Sequence, residues 1–504
     1  MQNVSAEFAM MSRRSQQHVC SYLEIAWDPA QNVQVTDARG ASGWHDETSY
    51  LLSFSGKIGL QAPGEALLPS GDEGRLELVL DNAAGRYSWR NSASPLYAYI
   101  SGPAGLTGRP VRLWQGFRLQ NGEEYVCIFT GITAAPQFLN NDAVLNLSCM
   151  DWSFRFLQGR YTTTVYTNLR VDEFIALLAT QAGLTLGRID YGIYPIPYVW
   201  LDDESIQEIF NIAVADGGVA WFDQRGHLIY TNPLTWAFST PTITLTEREY
   251  TAADPQTNLD TVATKIIVEW STRYAGMPQV LYTLAAPKQI MPGLTETWTA
   301  RFQYPALRVY TPERSAIHTD YSALTAGGVD ISEQLTITLT NVAAQQARIS
   351  VTNNSHHVAR LVFLQLRGMP LLGGLTEQEV QDVTPPPYPF LRTRSVRGNV
   401  YLQTAAQGKA LAALLALRCQ RPRPIYRLRD LNLPQVEIGD RLTFYDRRLY
   451  PDTPIHGIVL NISFNGGQGG FWQELTLLDI SNWTVYGNNY FRIGDVLGTK
   501  HAYY

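Results

Sequence analysis

The stretch Leu78-Val79-Leu80-Asp81-Asn82-Ala83-Ala84-Gly85-Arg86-Tyr87-Ser88 decides how the chain is read. Just before it, Arg75-Leu76-Glu77-Leu78 alternates polar and apolar residues, the pattern of a strand with one face buried. Asp81 and Asn82 then stop the strand, because their short polar side chains fold back onto the backbone as Asx-turns. Gly85 supplies a backbone position open to conformations other residues avoid. The unit is therefore strand, turn, return. Working outward, Tyr125, Cys127 and Phe129 share one face of the next clear strand, and Leu145, Leu147 and Cys149 repeat the period. Residues 16–165 read as one antiparallel β-rich domain.

The period then changes. Val171, Phe174, Ile175 and Leu178 fall at helical spacing between a cap expected at Asn168 and a terminator at Gly183. A second helix is expected to start at Asp202/Asp203 and to carry Ile206, Ile209, Phe210, Ala213 and Val214. A hairpin follows, turning at Asp223-Gln224-Arg225-Gly226. Residues 166–255 thus form a small α+β unit. Strands return at Lys265-Ile266-Ile267-Val268-Glu269-Trp270. Residues 291–375 alternate Trp298, Ala300, Leu335, Ile337, Leu339, Ile349 and Val351 with threonines and other polar residues, as a β-sandwich does. Pro385-Pro386-Pro387-Tyr388-Pro389 reads as a stiff linker. Thr404-Ala405-Ala406-Gln407 reads as a capping box opening a helix. Beyond it lies more β structure, with a tight turn at Gly439-Asp440 before Arg441-Leu442-Thr443-Phe444 and a Gly-rich hairpin loop at Asn465 to Gly470. Residues 484–504 read as a C-terminal arm.

Composition narrows the function. The chain has 504 residues, room for roughly three domains. Charged residues are 17%, against about 25% in an average soluble protein. With 39 basic and 45 acidic residues the net charge is −6, which argues against a general polyanion binder. No apolar run is long enough to span a bilayer, and Met1 to Ser12 do not read as a signal peptide. Cys20, Cys127, Cys149 and Cys419 lie far apart and read as buried free thiols. Phosphate-loop, zinc-protease and nucleophile-elbow motifs are missing. Trp44-His45-Asp46-Glu47 and His356-His357 read as loops, and Asp202-Asp203-Glu204 as a helix cap. We therefore assign no catalytic, cofactor-binding or metal-ligating residue and expect no enzyme.

In order, the "LDN…GRYS" stretch, Gly108-Arg109-Pro110-Val111-Arg112-Leu113, Phe129-Thr130-Gly131-Ile132, Leu147-Ser148-Cys149-Met150-Asp151, the helix Ala405 to Leu417 and Val436-Glu437-Ile438-Gly439-Asp440-Arg441-Leu442 resemble bacteriophage tail and baseplate hub proteins. That family is related to the hubs of contractile tails and of type VI secretion spikes. Trp89 stands where many relatives carry proline.

The resemblance implies a mainly β (α+β) fold with two tail-tube-like antiparallel β-barrels, 16–165 and the discontinuous 256–290 plus 376–483. The α+β domain (166–255) lies between them, and the sandwich (291–375) is an insertion. Asp81, Asn82, Gly85, Arg86, Tyr87, Gly439 and Asp440 are implied to be structural turn residues of the motif. The implied function is a structural hub of the tail tip, a homotrimeric ring joining tail tube to tip. Its implied partners are tube and distal tail proteins, the tape measure protein, tip or spike proteins, and viral DNA in transit. It would be made in the bacterial host cytoplasm and reside in the virion tail. Two rival readings are a carbohydrate-binding receptor protein using the sandwich and a virion-associated hydrolase.

Overall fold

Short runs of alternating residues and frequent turn formers give strands along nearly the whole chain. The computed structural model describes residues 1–14, 17–31, 33–61, 70–101, 105–140, 142–154, 159–238, 242–257, 262–315, 319–383, 391–420, 422–445, 453–467 and 470–480. The proline cluster and the C-terminal arm lie outside the described residues.

Helix α1 (Ala6–Met11) lays Phe8 against Phe117, ring centroids 4.8 Å apart. Strands β1 (Val19–Ile25), β2 (Leu51–Gln61), β3 (Arg75–Asp81), β4 (Pro110–Leu119), β5 (Gly122–Leu139) and β6 (Val144–Asp151) pair in the order β1-β4-β5-β6-β3-β2. Every ladder in this first lobe is antiparallel. Its alternation is as expected: Leu76, Leu78 and Leu80 are wholly buried while their neighbours are not.

The α+β unit contains α2 (Val171–Ala182) and α3 (Glu208–Ala215). Its hairpin, Val219–Phe222 with Leu228–Thr231, forms as expected around Asp223–Gly226. Gly183 ends α2 in the left-handed conformation, φ 69°. Two helix starts differ from expectation. Asn168 sits in the strand Tyr166–Arg170 with φ 54°, and the cap is Arg170, whose N–H donates to the Glu173 carboxylate at 2.9 Å. Asp202, Asp203 and Glu204 do not cap α3. Glu204 exchanges two backbone hydrogen bonds with Tyr161, and this extended bridge delays the helix until Glu208.

Strand β7 (Lys265–Ala275) leads to the sandwich strands β8 (Thr295–Arg301), β9 (Leu335–Thr340), β10 (Gln346–Asn353) and β11 (Ala359–Asp382). One sandwich sheet is β8-β10-β9. The other is built on β11 with four shorter strands, Gln279–Thr283, Lys288–Ile290, Ala306–Val309 and Tyr321–Leu324. Between them lies a separate core that includes Ile290, Ala300, Ile349, Val351 and Leu361. β7, expected with the second barrel, pairs instead with β11 from Lys265↔Asp382 to Ala275↔Leu371 and runs parallel to Thr393–Val396. The reason is its inward face. Ile266, Val268 and Trp270 pack in one core with α4 (Ala405–Arg418), which the Thr404–Gln407 capping box opens as expected.

The second lobe is β12 (Pro424–Leu431), β13 (Arg441–Phe444), β14 (Ile455–Gly467) and β15 (Gly470–Asp479), with Ile243–Leu245 and Ala253–Thr257 added at its margins. Of the Gly-rich hairpin loop, Gln468 and Gly469 lie outside the described residues. β14 serves both lobes. Its start pairs with β13, and from Asn461 onward the same strand pairs with β2, Asn461↔Gly59 to Gly467↔Ser53. Gly56 of β2 makes room there, since a Cβ on it would stand 2.5 Å from the Phe464 ring. The mainly β, α+β class is as expected. The two lobes are parts of one 14-stranded sheet over one shared core, and no ladder among the described residues closes either into a ring of strands. Cys127, Cys149 and Cys419 are buried and free; Cys20 is free but half-buried at the edge of β1.

Candidate functional site

The turn after β3 is built as its residues dictate. Asp81 Oδ1 accepts from Ala83 N at 2.9 Å, an Asx-turn. Asn82 Oδ1 accepts from Tyr87 N at 2.8 Å, and its Nδ2 donates to the Asp142 carbonyl at 2.7 Å, tying the turn to the loop before β6. Gly85 takes φ 67° and donates its N–H to the Asn82 carbonyl. This loop delivers Arg86 and Tyr87 to a single acceptor, Glu47, which is 0% exposed. Arg86 donates to it twice, at 2.9 and 2.8 Å, Tyr87 Oη at 2.7 Å, and Trp27 Nε1 at 2.8 Å.

A buried carboxylate is tolerated only when its charge is paired and its lone pairs are filled. Four donated hydrogen bonds do both. Burial, then the adjacent Glu47 charge, pushes the Tyr87 hydroxyl far above its ordinary value. Burial works against the Arg86 cation, but hydrogen bonding and charge from Glu47 more than offset it, and its pKa is raised. Arg86 also lies over the Tyr50 ring at 4.5 Å. The sequence pattern puts Glu47 in a solvated loop with Trp44, His45 and Asp46. Instead His45–Asp46 pairs with β1 and turns Glu47 inward.

A second buried acid stands on the same sheet. Glu24 accepts from Arg112 at 2.9 Å, from Trp114 Nε1 at 2.8 Å and from Gly40 N at 2.6 Å, and Arg112 stacks over Trp44 at 3.9 Å. Glu47, Glu24 and Trp27 carry no signal in the sequence. Their partners are 16 to 90 residues away, and only the sheet order brings them together.

Gly439-Asp440 forms the other expected turn. Gly439 takes φ 83°, and Asp440 Oδ2 accepts from Glu437 N at 2.7 Å. Asp440 Oδ1 accepts from the Met1 ammonium at 2.6 Å, and Glu437 pairs with the same ammonium at 3.0 Å and with Arg225 at 3.1 Å. Burial pushes both carboxyls above their ordinary range, and the Met1 ammonium pulls them partly back. The turn thereby links the second lobe to the α+β hairpin. The two motif turns lie in different lobes and form separate clusters. Each fixes backbone rather than presenting a reactive group.

Between the α+β unit and residues 396–403 lies a cavity of about 690 Å³ lined by Trp200, Asp202, Glu204, Glu208 and Tyr401 among others. The sequence pattern puts Asp202 and Glu204 at a helix start; the structure puts them on this wall. Tyr401 Oη and Asn211 Nδ2 both donate to Glu208, at 3.0 Å each, which holds that carboxylate as a fixed acceptor.

No protein-family model matches the chain, and no curated protein matches it by sequence. Solved structures do. The tail protein from Neisseria meningitidis MC58 is 11% identical with a TM-score of 0.47, covering 93% of this chain and 98% of that one. The 43 kDa tail protein of prophage MuSo2 from Shewanella oneidensis is 10% identical with a TM-score of 0.46, over 93% and 98%. The Francisella PdpA-VgrG complex gives 8% identity and a TM-score of 0.42 over 95% of this chain and 54% of that one. The first two are tail proteins. Among the described residues of this chain, no helix is long and apolar enough to cross a membrane.

Proposed function

We propose that the chain is a non-enzymatic structural hub of a phage tail tip or baseplate, working as a homotrimer. Three copies, each with two lobes, set six lobes in a ring that matches a sixfold tail tube above and a threefold tip below. The ring joins tube and distal tail proteins to tip or spike proteins, lets the tape measure protein pass, and lines the channel for viral DNA. The observation that carries this reading is β14, which pairs with β2 of one lobe and with β13 and β15 of the other. Continuous backbone hydrogen bonding across both lobes makes each chain a stiff two-lobed wedge. Such a wedge suits a closed heterologous ring. The motif order in the sequence and the locked turn at Glu47 support the same reading.

The experiment is copy number and symmetry. Electron microscopy of the intact particle should resolve three copies around a central passage at the end of the tube. A single copy per particle, or a stable monomer within the virion, overturns the reading.

A further inference from the structure

The sandwich carries a surface that hub assembly leaves unexplained. On the core side of β8, β10 and β9, Trp298, Ala300, Ile349, Val351, Leu335 and their like are apolar, while the outward residues are almost all hydroxyls. The register stacks the outward residues in ranks. Thr295 stands opposite Thr352, and Thr352 opposite Thr336. The next rank is Thr297, Ser350, Thr338, and the third is Thr299, Arg348, Thr340. All six threonines on the two flanking strands are exposed, while Ser350 and Thr352 on the middle strand are half-buried, as on an open three-stranded face. Neighbouring hydroxyls hold one another, Thr295 with Thr352 at 2.8 Å and Thr297 with Ser350 at 3.2 Å.

Strand geometry sets this lattice at about 4.8 Å between strands and about 6.8 Å along them. Threonine suits exposed strands in any case, and cross-strand threonine pairs contribute to sheet stability. Those effects account for threonine at single positions. They do not require hydroxyls at every site of three successive ranks but one, without a carboxylate, lysine or large apolar side chain among them.

From this face we infer a binding surface for an extended, hydroxyl-rich glycan chain. The charge on the face argues for that occupant. Within the three ranks the one formal charge is the Arg348 cation, at the edge of the array with Arg301 just beyond it. The face therefore neither repels a neutral or weakly acidic polysaccharide nor neutralises a strongly charged polymer. Each threonine offers a donor, an acceptor and a methyl group, the mixture that matches alternating hydroxyl and C–H patches on a sugar ring. The regular register favours a repeating ligand over a folded protein surface. The inference does not depend on the hub reading.

The test uses the full chain with three immobilised polysaccharides (dextran, yeast mannan and peptidoglycan sacculi) as probes. The variants are Thr297→Val with Thr338→Val, and Thr299→Val with Thr340→Val. Valine keeps the shape and the strand preference, and unchanged circular dichroism confirms folding. We expect the unsubstituted chain to bind at least one probe and each double variant to lose about tenfold in affinity, as removing two hydrogen bonds implies. No binding to any probe, or equal binding by the variants, overturns the inference. So does a change in the number of copies per assembly on substitution, which would make the face a contact between chains.

Discussion

At the scale of single residues, Glu47 shows how one buried charge can fix a turn. Substituting Glu47→Ala strands the Arg86 cation and removes the acceptor of Tyr87 and Trp27 together. Breaking a buried pair from one side costs about 3 to 5 kcal/mol. Tyr87→Phe removes one donated hydrogen bond and should cost about 1 kcal/mol. Denaturant unfolding of both variants should reproduce that order, and an equal cost would show that the network does not centre on Glu47. Asp81, Asn82 and Gly85 were legible in the sequence because turn chemistry is local, whereas Arg86 and Tyr87 were singled out only by the resemblance of the stretch that holds them. Glu47 was not, because its role depends on a strand pairing that no neighbouring residue announces. A pH effect belongs here too. Burial raises the Asp216 carboxyl to about 6, although Ile193 N, Tyr194 N and Tyr230 Oη all donate to it. An acid raised on folding binds more protons folded than unfolded, so its contribution to stability falls as pH rises from about 4 to about 6. Relative to Asp216→Asn, the unsubstituted protein should lose on the order of 3 kcal/mol across that window. Parallel stability–pH curves for the two would refute the assignment.

At the scale of elements, α4 sets two sequence rules against each other. The Thr404–Gln407 capping box was legible and is built, and Thr404→Ala should cost about 1 kcal/mol. Gly408, four residues on, looks like a flaw that alanine would repair by about 1 kcal/mol. The packing reverses that sign. A Cβ on Gly408 would lie 2.3 Å from Trp270 Cε3, with a second ring carbon at 2.8 Å. Gly408→Ala should therefore destabilise by about 1 to 3 kcal/mol, and a raised melting temperature would show that Trp270 yields easily. The same limit explains the misplaced helix starts. Apolar spacing located α2 and α3, since periodicity depends only on the buried face. Their first residues depended on partners elsewhere, Tyr161 for Glu204 above all. Threonine alternation in β8 and β9 could likewise be read directly, but the ranks it forms across β10 required the register.

At the scale of the whole molecule, the insertion should be separable from the rest. Its core is distinct from the one the lobes share, and a backbone bond from Ala344 N to Thr163 O at 2.8 Å ties it to the segment just before the α+β unit. Its two connecting strands are partners: Ala275 faces Leu371, and Gly276 donates to Pro370 at 2.8 Å. Antiparallel partners lie about 5 Å apart, so an Asn-Gly turn can replace residues 276–370 and close β7 and β11 into a hairpin. The shortened chain should keep the lobes folded, because they share one core and β14 crosses between them. Calorimetry should show the sandwich transition gone and the main transition moved by only a few degrees, the size expected from losing about 1 to 2 kcal/mol of contacts with the rest of the chain. On the proposed hub reading, copy number in the assembly should not change, while polysaccharide binding should vanish. If instead the ring fails to form, the sandwich is part of the masonry and the lobes alone do not make the wedge. If binding survives the excision, the hydroxyl face is not where the glycan sits.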